Sequence, residues 1–294
     1  MPAMDIQIRP IRESDHDRAA QIVFDAFGGI ARQHNFPLDM PVIEIPQGLI
    51  KAFSSHPTVF AVAAEGDGQL LGVNFLDCRT PVGGVGPICV DPNTQQKGVG
   101  RKLMEAVVKN GKERGLKSIR LVQDAFNTTS MSLYTSVGFD VKEPLALMRG
   151  TPKDKLTATG AKVREVTDND LAACADLCRA AHGFDRTGEL RESQAMFRSM
   201  LLERNGRIVA YASAPTFWIL NHAVGATDQD LFDLILGAGA ATGGEPLSML
   251  VPTRRSNLFR WCLSQGMRVV KPMTLMSIGE YQEPKTEFWP SVQF

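Results

Sequence analysis

The segment DPNTQQKGVGRKLM, residues 91–104, places two glycines and three cations where a helix is predicted to begin. Glycine costs about 1 kcal/mol relative to alanine inside a helix, and cations at a helix N-terminus are also unfavourable. A negatively charged ligand would explain both, because free N–H groups and the helix dipole attract anions. Gly98 and Gly100 allow close approach, and Lys97 and Arg101 add charge. We predict a diphosphate site; the alternative is a flexible loop with solvated cations.

Two spaced motifs surround this helix start. The first, V-x-P-x-x-Q-x-x-G-x-G, is formed by Val90, Pro92, Gln95, Gly98 and Gly100. The second, N-x-x-S-x-x-L-Y-x-x-x-G-F, is formed by Asn127, Ser130, Leu133, Tyr134, Gly138 and Phe139. Together they resemble the acetyl-CoA loop and the distal motif of the GNAT superfamily of N-acetyltransferases. The ATP-binding and dinucleotide-binding glycine spacings are absent from the sequence.

The resemblance implies an α/β fold with a mixed, curved sheet, whose two central strands diverge to admit the pantetheine arm of acetyl-CoA. One backbone N–H of the strand at Ile88 would polarise the thioester carbonyl. Tyr134 would lie near the sulfur and donate a proton to the departing thiolate. The residues implied to bind the coenzyme are Ile88, Cys89, Val90, Gln95, Gln96, Lys97, Gly98, Val99, Gly100, Arg101, Asn127 and Ser130.

The general base is less well defined by the sequence. Val122 stands where many members of the family carry a glutamate. Asp77 and Asp124 are therefore the candidate catalytic bases, with Glu44 a weaker candidate and a chain of water molecules as the alternative. Cys89 could act as a covalent nucleophile, but its apolar neighbours favour a packed thiol. We expect a neutral amine to attack directly in a ternary complex.

The sequence also contains an internal repeat. IRPIRESDHDRAAQIV from Ile8 resembles VREVTDNDLAACADLC, which begins 155 residues later. GFDVKEPLALM from Gly138 resembles GMRVVKPMTLM, which begins 128 residues later. Two matches in order predict two tandem copies of one fold. We predict a catalytic domain at residues 1–149, a linker at 150–160 and a degenerate copy at 161–294.

The second copy has lost the features of the first. Asp228 and Asp230 lie near its corresponding helix start, where carboxylates would satisfy the helix end and repel an anion. Cys262 and Arg255 stand in place of Tyr134 and Asn127. The second copy is therefore predicted to support the first or to recognise the substrate.

Local patterns predict most of the elements in the first copy. The first helix is expected to end at Gly28 and Gly29, and residues 35–57 are expected to be irregular because they contain several Pro and Gly. VGPICV, residues 85–90, is predicted to form one strand. The region from Gly28 to Pro57, which includes His34 and His56, is expected to shape the acceptor pocket.

Composition limits the remaining functions. The 32 basic and 32 acidic residues balance, which argues against a general nucleic-acid or membrane-surface binder. Without a signal peptide or an apolar run of about 20 residues, and with five cysteines lacking CxxC pairs, a cytoplasmic protein is expected. Cys174, Cys178 and His182 allow a metal or redox site as a less favoured interpretation, and we expect no metal.

The acceptor is predicted to be a small-molecule amine or a peptide amine, and the protein a monomer with two similar domains or a homodimer. Two other functions stay open. One is a coenzyme-A-binding regulatory module without catalysis. The other is a transferase for a larger acyl or aminoacyl group.

Overall fold

The computed structural model describes residues 5–94 and 98–293. The strands in these residues are β1 Gln7–Pro10, β2 Val59–Gly66, β3 Gln69–Asp77, β4 Val82–Val85, β5 Cys89–Val90, β6 Ser118–Asp124, β7 Asp140–Gly150, β8 Ala161–Glu165, β9 Met200–Arg204, β10 Arg207–Ala212, β11 Ala223–Gly225, β12 Leu247–Pro252, β13 Arg268–Gly279 and β14 Glu287–Trp289. The helices are α1 His16–Gln33, α2 Glu44–Ser55, α3 Val99–Glu113, α4 Thr128–Ser136, α5 Leu171–His182, α6 Thr187–Gln194, α7 Asp228–Ala241 and α8 Ser256–Ser264. No helix within these described ranges is both long and apolar enough to cross a membrane.

The chain folds into two compact units that are interleaved along the sequence. The first unit contains the residues up to Asp140 together with 276–280 and 293, and the second contains 141–275 and 281–292. The units therefore do not follow the contiguous boundaries expected at residues 149 and 161. The reason is strand pairing: β7 pairs with β12 of the second unit, whereas the end of β13 is the neighbour of β6 in the first. Residues 151–160 form no helix or strand.

The first unit is built on a mixed sheet. Its strands follow the order β1-β2-β3-β4-β6, with the end of β13 next and β5 paired to β3. The pairs from β1 to β4 are antiparallel, whereas β4 and β6 are parallel. Helices α1 and α2 bury Ile22 and Ile50 on one face, and α3 and α4 bury Leu103 and Tyr134 in a separate cluster. Met276 of β13 belongs to that second cluster.

The second unit has a comparable arrangement around an antiparallel sheet of order β14-β11-β10-β9-β8. Helices α5 and α6 pack Cys178 and Leu190 against Tyr211 of β10. Helices α7 and α8 contribute Leu234 and Leu258 to the other core cluster. Each unit thus has helices in two separate apolar clusters.

Helix α1 continues past the glycines that were predicted to end it and stops only at Gln33. The prediction was wrong because glycine inside a helix costs only about 1 kcal/mol, which packing can offset. The helix ends where Asn35 adopts a left-handed φ of 57°. The N–H of Phe36 then donates to the carbonyl of Ala31 over 3.0 Å, as in a Schellman motif.

Helix α2 occupies part of the segment that was expected to be irregular. Pro46 lies in its first turn, where a missing N–H costs nothing. Ile45, Leu49, Ile50 and Phe53 repeat at helical spacing and join the core cluster beneath α1. The Pro and Gly content of the segment concealed this apolar stripe.

The internal repeat is visible as one ion pair that occurs twice. Arg9 Nη1 lies 2.6 Å from Asp15 Oδ2, and Arg164 Nη1 lies 2.7 Å from Asp170 Oδ2. In each copy the backbone N–H three residues before the aspartate donates to the same carboxylate oxygen. Helices α4 and α8 likewise begin and end 128 residues apart. Both offsets are those of the sequence repeat.

We expect Asp15→Asn to lower the free energy of unfolding at pH 7 by about 2 kcal/mol, because a charge-assisted hydrogen-bond network is lost. Hydrogen bonding from Arg9 holds the pKa of Asp15 below its ordinary value of 3.8. A lowered pKa contributes stability above the ordinary value, and that contribution is lost as pH falls towards the lowered value. Urea unfolding between pH 7 and 2.5 should therefore show a smaller acid loss for the variant. Asp67→Asn, in an exposed hairpin turn, is the control, and parallel curves for Asp15→Asn and wild type would contradict the prediction.

Candidate active site

The candidate site lies where two parallel strands separate. β4 and β6 pair from Val82 opposite Ser118 to Gly84 opposite Arg120. The chain then turns through Gly86, whose φ is 134°, and resumes as β5, which among the described strands pairs only with β3. β6 continues to Asp124. The single strand predicted for residues 85–90 is therefore wrong, and a gap opens between β5 and β6.

The backbone of β5 presents unpaired groups to this gap. Cys89 is opposite Val73, and the N–H of Asp91 donates to the carbonyl of Leu71 over 2.8 Å. In an antiparallel pair, the residues between such hydrogen-bonded positions direct their N–H and C=O away from the partner strand. By this alternation, the N–H and C=O of Val90 face the gap.

The side chains of β5 alternate between the two faces of the sheet. Cys89 is 3% exposed and packs in the cluster of α1 and α2. Its burial raises the pKa of the thiol, so the sulfur stays protonated. Ile88 and Val90 are half-buried and pack against the cluster of α3 and α4. A packed thiol is what the sequence favoured for Cys89.

Helix α3 begins with an accessible glycine. Gly98 is its N-cap residue, with φ of 83°, and a Cβ there would meet no atom within 4 Å among the described residues. Its first turn contains no acidic side chain. Val99 is buried, so only its backbone could reach a ligand. At Gly100 a Cβ would lie 3.1 Å from Leu133 Cδ2, so glycine lets the helix start approach α4.

The cations predicted beside this helix start are only partly described. Gln95, Gln96 and Lys97 lie outside the described residues. Arg101 donates to Ser136 Oγ over 2.7 Å, and its Nη1 is 3.7 Å from Glu105 Oε1. The guanidinium is thus held at the surface between α3 and α4.

The corresponding helix in the second unit closes its own N-terminus. The Oγ1 of Thr227 accepts the N–H of Asp230 over 3.2 Å. Arg204 forms ion pairs with Asp230 at 2.9 Å and with Asp233 at 2.7 Å. This helix start therefore presents capped N–H groups and carboxylates, whereas α3 presents glycines.

The strand gap of the second unit is filled by the chain itself. β11 precedes α7 as β5 precedes α3, and β12 follows α7 as β6 follows α3. β14 pairs antiparallel with β11, with Phe288 opposite Val224, and also lies against β12. The position equivalent to the β5–β6 gap is thus occupied by an extra strand of protein.

Tyr134 projects from α4 into the core cluster of the first unit and is 6% exposed. Burial raises its pKa well above the ordinary value, opposed by a hydrogen bond with Ser130 and reinforced by the charges of Cys89 and Asp124. The phenol consequently stays protonated at neutral pH. A buried neutral phenol can donate a proton or a hydrogen bond.

Asn127 is the N-cap residue of α4, and its Oδ1 accepts the N–H of Ser130 over 3.1 Å. The oxygen is therefore used to cap the helix. Any hydrogen bond from this side chain to a ligand would be donated by Nδ2.

The three candidate bases lie in different environments. Asp77 accepts hydrogen bonds from Arg79 Nε at 2.7 Å and from the backbone N–H of Arg79 at 3.0 Å. It lies five residues along β3 from the position opposite Val90, which is about 17 Å at strand spacing. Glu44 is exposed at the start of α2. Asp124 is 9% exposed, ends β6 and acts electrostatically on Tyr134. The structure thus groups Asp124 with Tyr134 and separates Asp77.

Two features of the site were missed in the sequence. Phe36 of the predicted acceptor region stacks on Phe126, with ring centroids 4.2 Å apart, and His34 lies 5.1 Å from the same ring. Gln123 is buried on β6 without a hydrogen bond to its side chain among the described residues. The polar residue in the otherwise apolar alternation Ile119, Leu121, Gln123 was the available signal.

The cysteine and histidine spacing in α5 corresponds to packing. Cys174 and Cys178 are both fully buried, and burial raises the pKa of Cys174 to about 12. His182 packs edge-on against Phe288, with centroids 5.4 Å apart. In residues 5–94 and 98–293, no three His, Cys, Asp or Glu side chains are grouped to hold a metal ion.

Comparison with known proteins agrees with this geometry. Residues 27–139 match the family described as Acetyltransferase (GNAT) family. The match includes the divergent strands, the glycine helix start and Tyr134. The chain therefore contains a GNAT family acetyltransferase domain, and its resemblance to that family is confirmed.

Among curated relatives, the mycothiol acetyltransferase of Thermomonospora curvata is 36% identical over 77 residues, which is 26% of this chain and 26% of that protein. The matched segment is thus about a quarter of the relative's length. A putative acetyltransferase from Pyrococcus horikoshii aligns over 100% of this chain and 95% of its own, with a TM-score of 0.74 and 15% identity. A tandem GNAT protein from the clavulanic acid biosynthesis pathway aligns over 95% of this chain and 100% of its own, with a TM-score of 0.58 and 11% identity. The mixed α/β GNAT fold in two tandem copies is confirmed.

Proposed function

We propose that the first unit transfers an acetyl group from acetyl-CoA to an amine acceptor, and that the second unit does not catalyse this transfer. The observation that carries the proposal is the gap between β5 and β6. It lies between a glycine-rich helix start and the buried phenol of Tyr134. An extended ligand with an anionic end and a reactive end matches this arrangement.

The residues of the first unit fit coenzyme A at three places. Gly98 leaves open space at the start of α3, where N–H groups can receive the diphosphate. The edge of β5 offers the backbone of Val90 to the pantetheine arm, in the manner of an added strand. Asn127 and Ser130 border the arm at the start of α4. Gln95, Gln96 and Lys97 would complete the diphosphate site.

When bound, acetyl-CoA supplies a thioester whose acyl carbon is open to attack by an amine. The N–H of Val90 would stabilise negative charge on the carbonyl oxygen. Tyr134 Oη holds a proton, which its raised pKa keeps bound until it is donated to sulfur. Asp124 would accept the proton from the amine, directly or through water. Asp77 is less suited, because Arg79 already neutralises it.

Direct transfer is favoured over a covalent enzyme intermediate. The Cys89 thiol is protonated and packs on the face of the sheet that carries α1. A thiol rather than a thiolate is a weak nucleophile. Bringing donor and amine together can itself contribute about 7–11 kcal/mol to the lowering of the barrier.

The filled gap of the second unit supports a division of roles. β14 occupies the position that an extended ligand would need, and Thr227 caps the helix start. We therefore assign the catalytic site to the first unit alone. The second unit would be a degenerate copy that supports the fold.

The test is release of free thiol from acetyl-CoA in the presence of polyamines, amino acids, aminoglycosides, arylamines and peptides with free N-termini. Amine-dependent release together with an acetylated product would support the proposal and identify the acceptor class. Tight coenzyme A binding without any transfer would favour the regulatory module. A strong preference for longer acyl-CoA donors in competition would favour the transferase of larger groups.

We expect Phe36→Ala to raise the KM for the identified amine by about fivefold to tenfold, because it removes a stack worth roughly 1 kcal/mol beside the acceptor region. The dissociation constant of coenzyme A should change less than twofold. Steady-state kinetics and calorimetry measure the two quantities. Phe197→Ala is the control, because it removes a comparable half-buried stack in the second unit. Equal KM changes in both variants would refute a local role for Phe36.

A further inference from the structure

Gln123 is an unusual residue for the interior of the first unit. Its side chain is 6% exposed, and neither Oε1 nor Nε2 has a hydrogen-bond partner among the described residues. Buried amides are nearly always hydrogen-bonded, because desolvation without a partner is costly. This residue thus has one free donor group and one free acceptor group inside the protein.

The position of Gln123 relates these groups to the candidate site. Side chains alternate along a strand, so Gln123 shares the face of β6 that carries Ile119 and Leu121. Those two residues pack in the cluster that contains Tyr134. Gln123 also lies beyond Arg120, where β6 no longer pairs with β4. It is therefore beside the gap, on the face of the sheet covered by α3 and α4.

We propose that Gln123 binds an amide group of the pantetheine arm, donating from Nε2 to the amide oxygen and accepting its N–H at Oε1. The inference rests on the proposed function, because it requires coenzyme A in the gap. A carboxamide matches a secondary amide, since each has one carbonyl oxygen and at least one N–H. The residue is a positioning and specificity-determining group, and the proton transfers belong to other side chains.

The assignment makes opposite predictions for stability and binding. Gln123→Met keeps a similar length and removes the unpaired polar atoms, so it should raise the midpoint of thermal unfolding of the ligand-free protein. The same change would leave a pantetheine amide without partners and should weaken coenzyme A binding by about tenfold. Adenosine 3′,5′-bisphosphate, which lacks the arm, should bind wild type and variant equally.

The experiment is calorimetric titration of both ligands together with thermal unfolding, with Gln69→Met as the control at an exposed position. If wild type binds coenzyme A and Gln123→Met binds it equally well, this inference alone is overturned. If wild type does not bind coenzyme A, the proposed function fails with it. Equal loss of both ligands would also overturn the inference, because a general structural defect would then be the cause.

A measurement on wild type covers the case of a variant that does not fold. The side-chain amide NMR resonance of Gln123 should shift when coenzyme A is added. Adenosine 3′,5′-bisphosphate should leave it in place. A resonance that ignores coenzyme A at saturation would overturn the assignment.

Discussion

Gly98→Asp should weaken coenzyme A binding by about a thousandfold. The added carboxylate would lie at the helix start that receives the diphosphate, and two like charges 4 Å apart repel by about 4 kcal/mol near a protein surface. Nothing among the described residues blocks the new side chain, so repulsion rather than crowding is the cause. Calorimetric titration with coenzyme A measures the loss.

The backbone at this position also disfavours any side chain, and the control has to match that effect. Gly68 in the β2–β3 turn has φ of 72° and equally open surroundings, so Gly68→Asp introduces the same strain and charge away from the site. Both variants should unfold at similar, slightly lowered temperatures. Normal coenzyme A binding by Gly98→Asp would show that the diphosphate site has been placed wrongly.

Tyr134→Phe should lower kcat by about 10²–10⁴-fold and leave the dissociation constant of coenzyme A nearly unchanged. The change removes only the hydroxyl group that is proposed to hold the proton. Because burial keeps the pKa of this phenol raised, wild-type activity should not fall from loss of its proton as pH rises through 9. Single-turnover rates measured from pH 6 to 9 test both statements.

Tyr211→Phe is the matched control for this variant. It removes a fully buried phenol hydroxyl in the second unit, where the oxygen lies 3.3 Å from His222 Nε2. The two variants should lose comparable stability, yet only Tyr134→Phe should lose turnover. Full activity in Tyr134→Phe would remove the residue from the mechanism.

The sequence predicted the site better than it predicted the surrounding fold. Gly98, Gly100 and Tyr134 were identifiable because their spacing depends on local chemistry along one stretch of chain. Helix α2 was missed because Pro46 and Gly48 are read as breaks, although proline is tolerated in a first helical turn. The apolar spacing of Leu49 and Phe53 carried the correct information.

Tertiary pairing explains the features that the sequence did not predict. β7 is recognisable as a strand, but nothing in its residues identifies β12 rather than β6 as its neighbour. The separation of Asp77 from Tyr134 likewise depends on strand register. The unpaired amide of Gln123 becomes visible only when its surroundings are known.

The interleaved units have a consequence for the order of events during synthesis. The sheet of the first unit includes residues 276–280, and Met276 is fully buried in its core. About 135 residues separate this segment from Asp140. At 5–20 residues per second the ribosome needs roughly 7–27 s to add them. The emerging first unit must wait through that interval with one sheet edge open, exposed to chaperones and to neighbouring nascent chains.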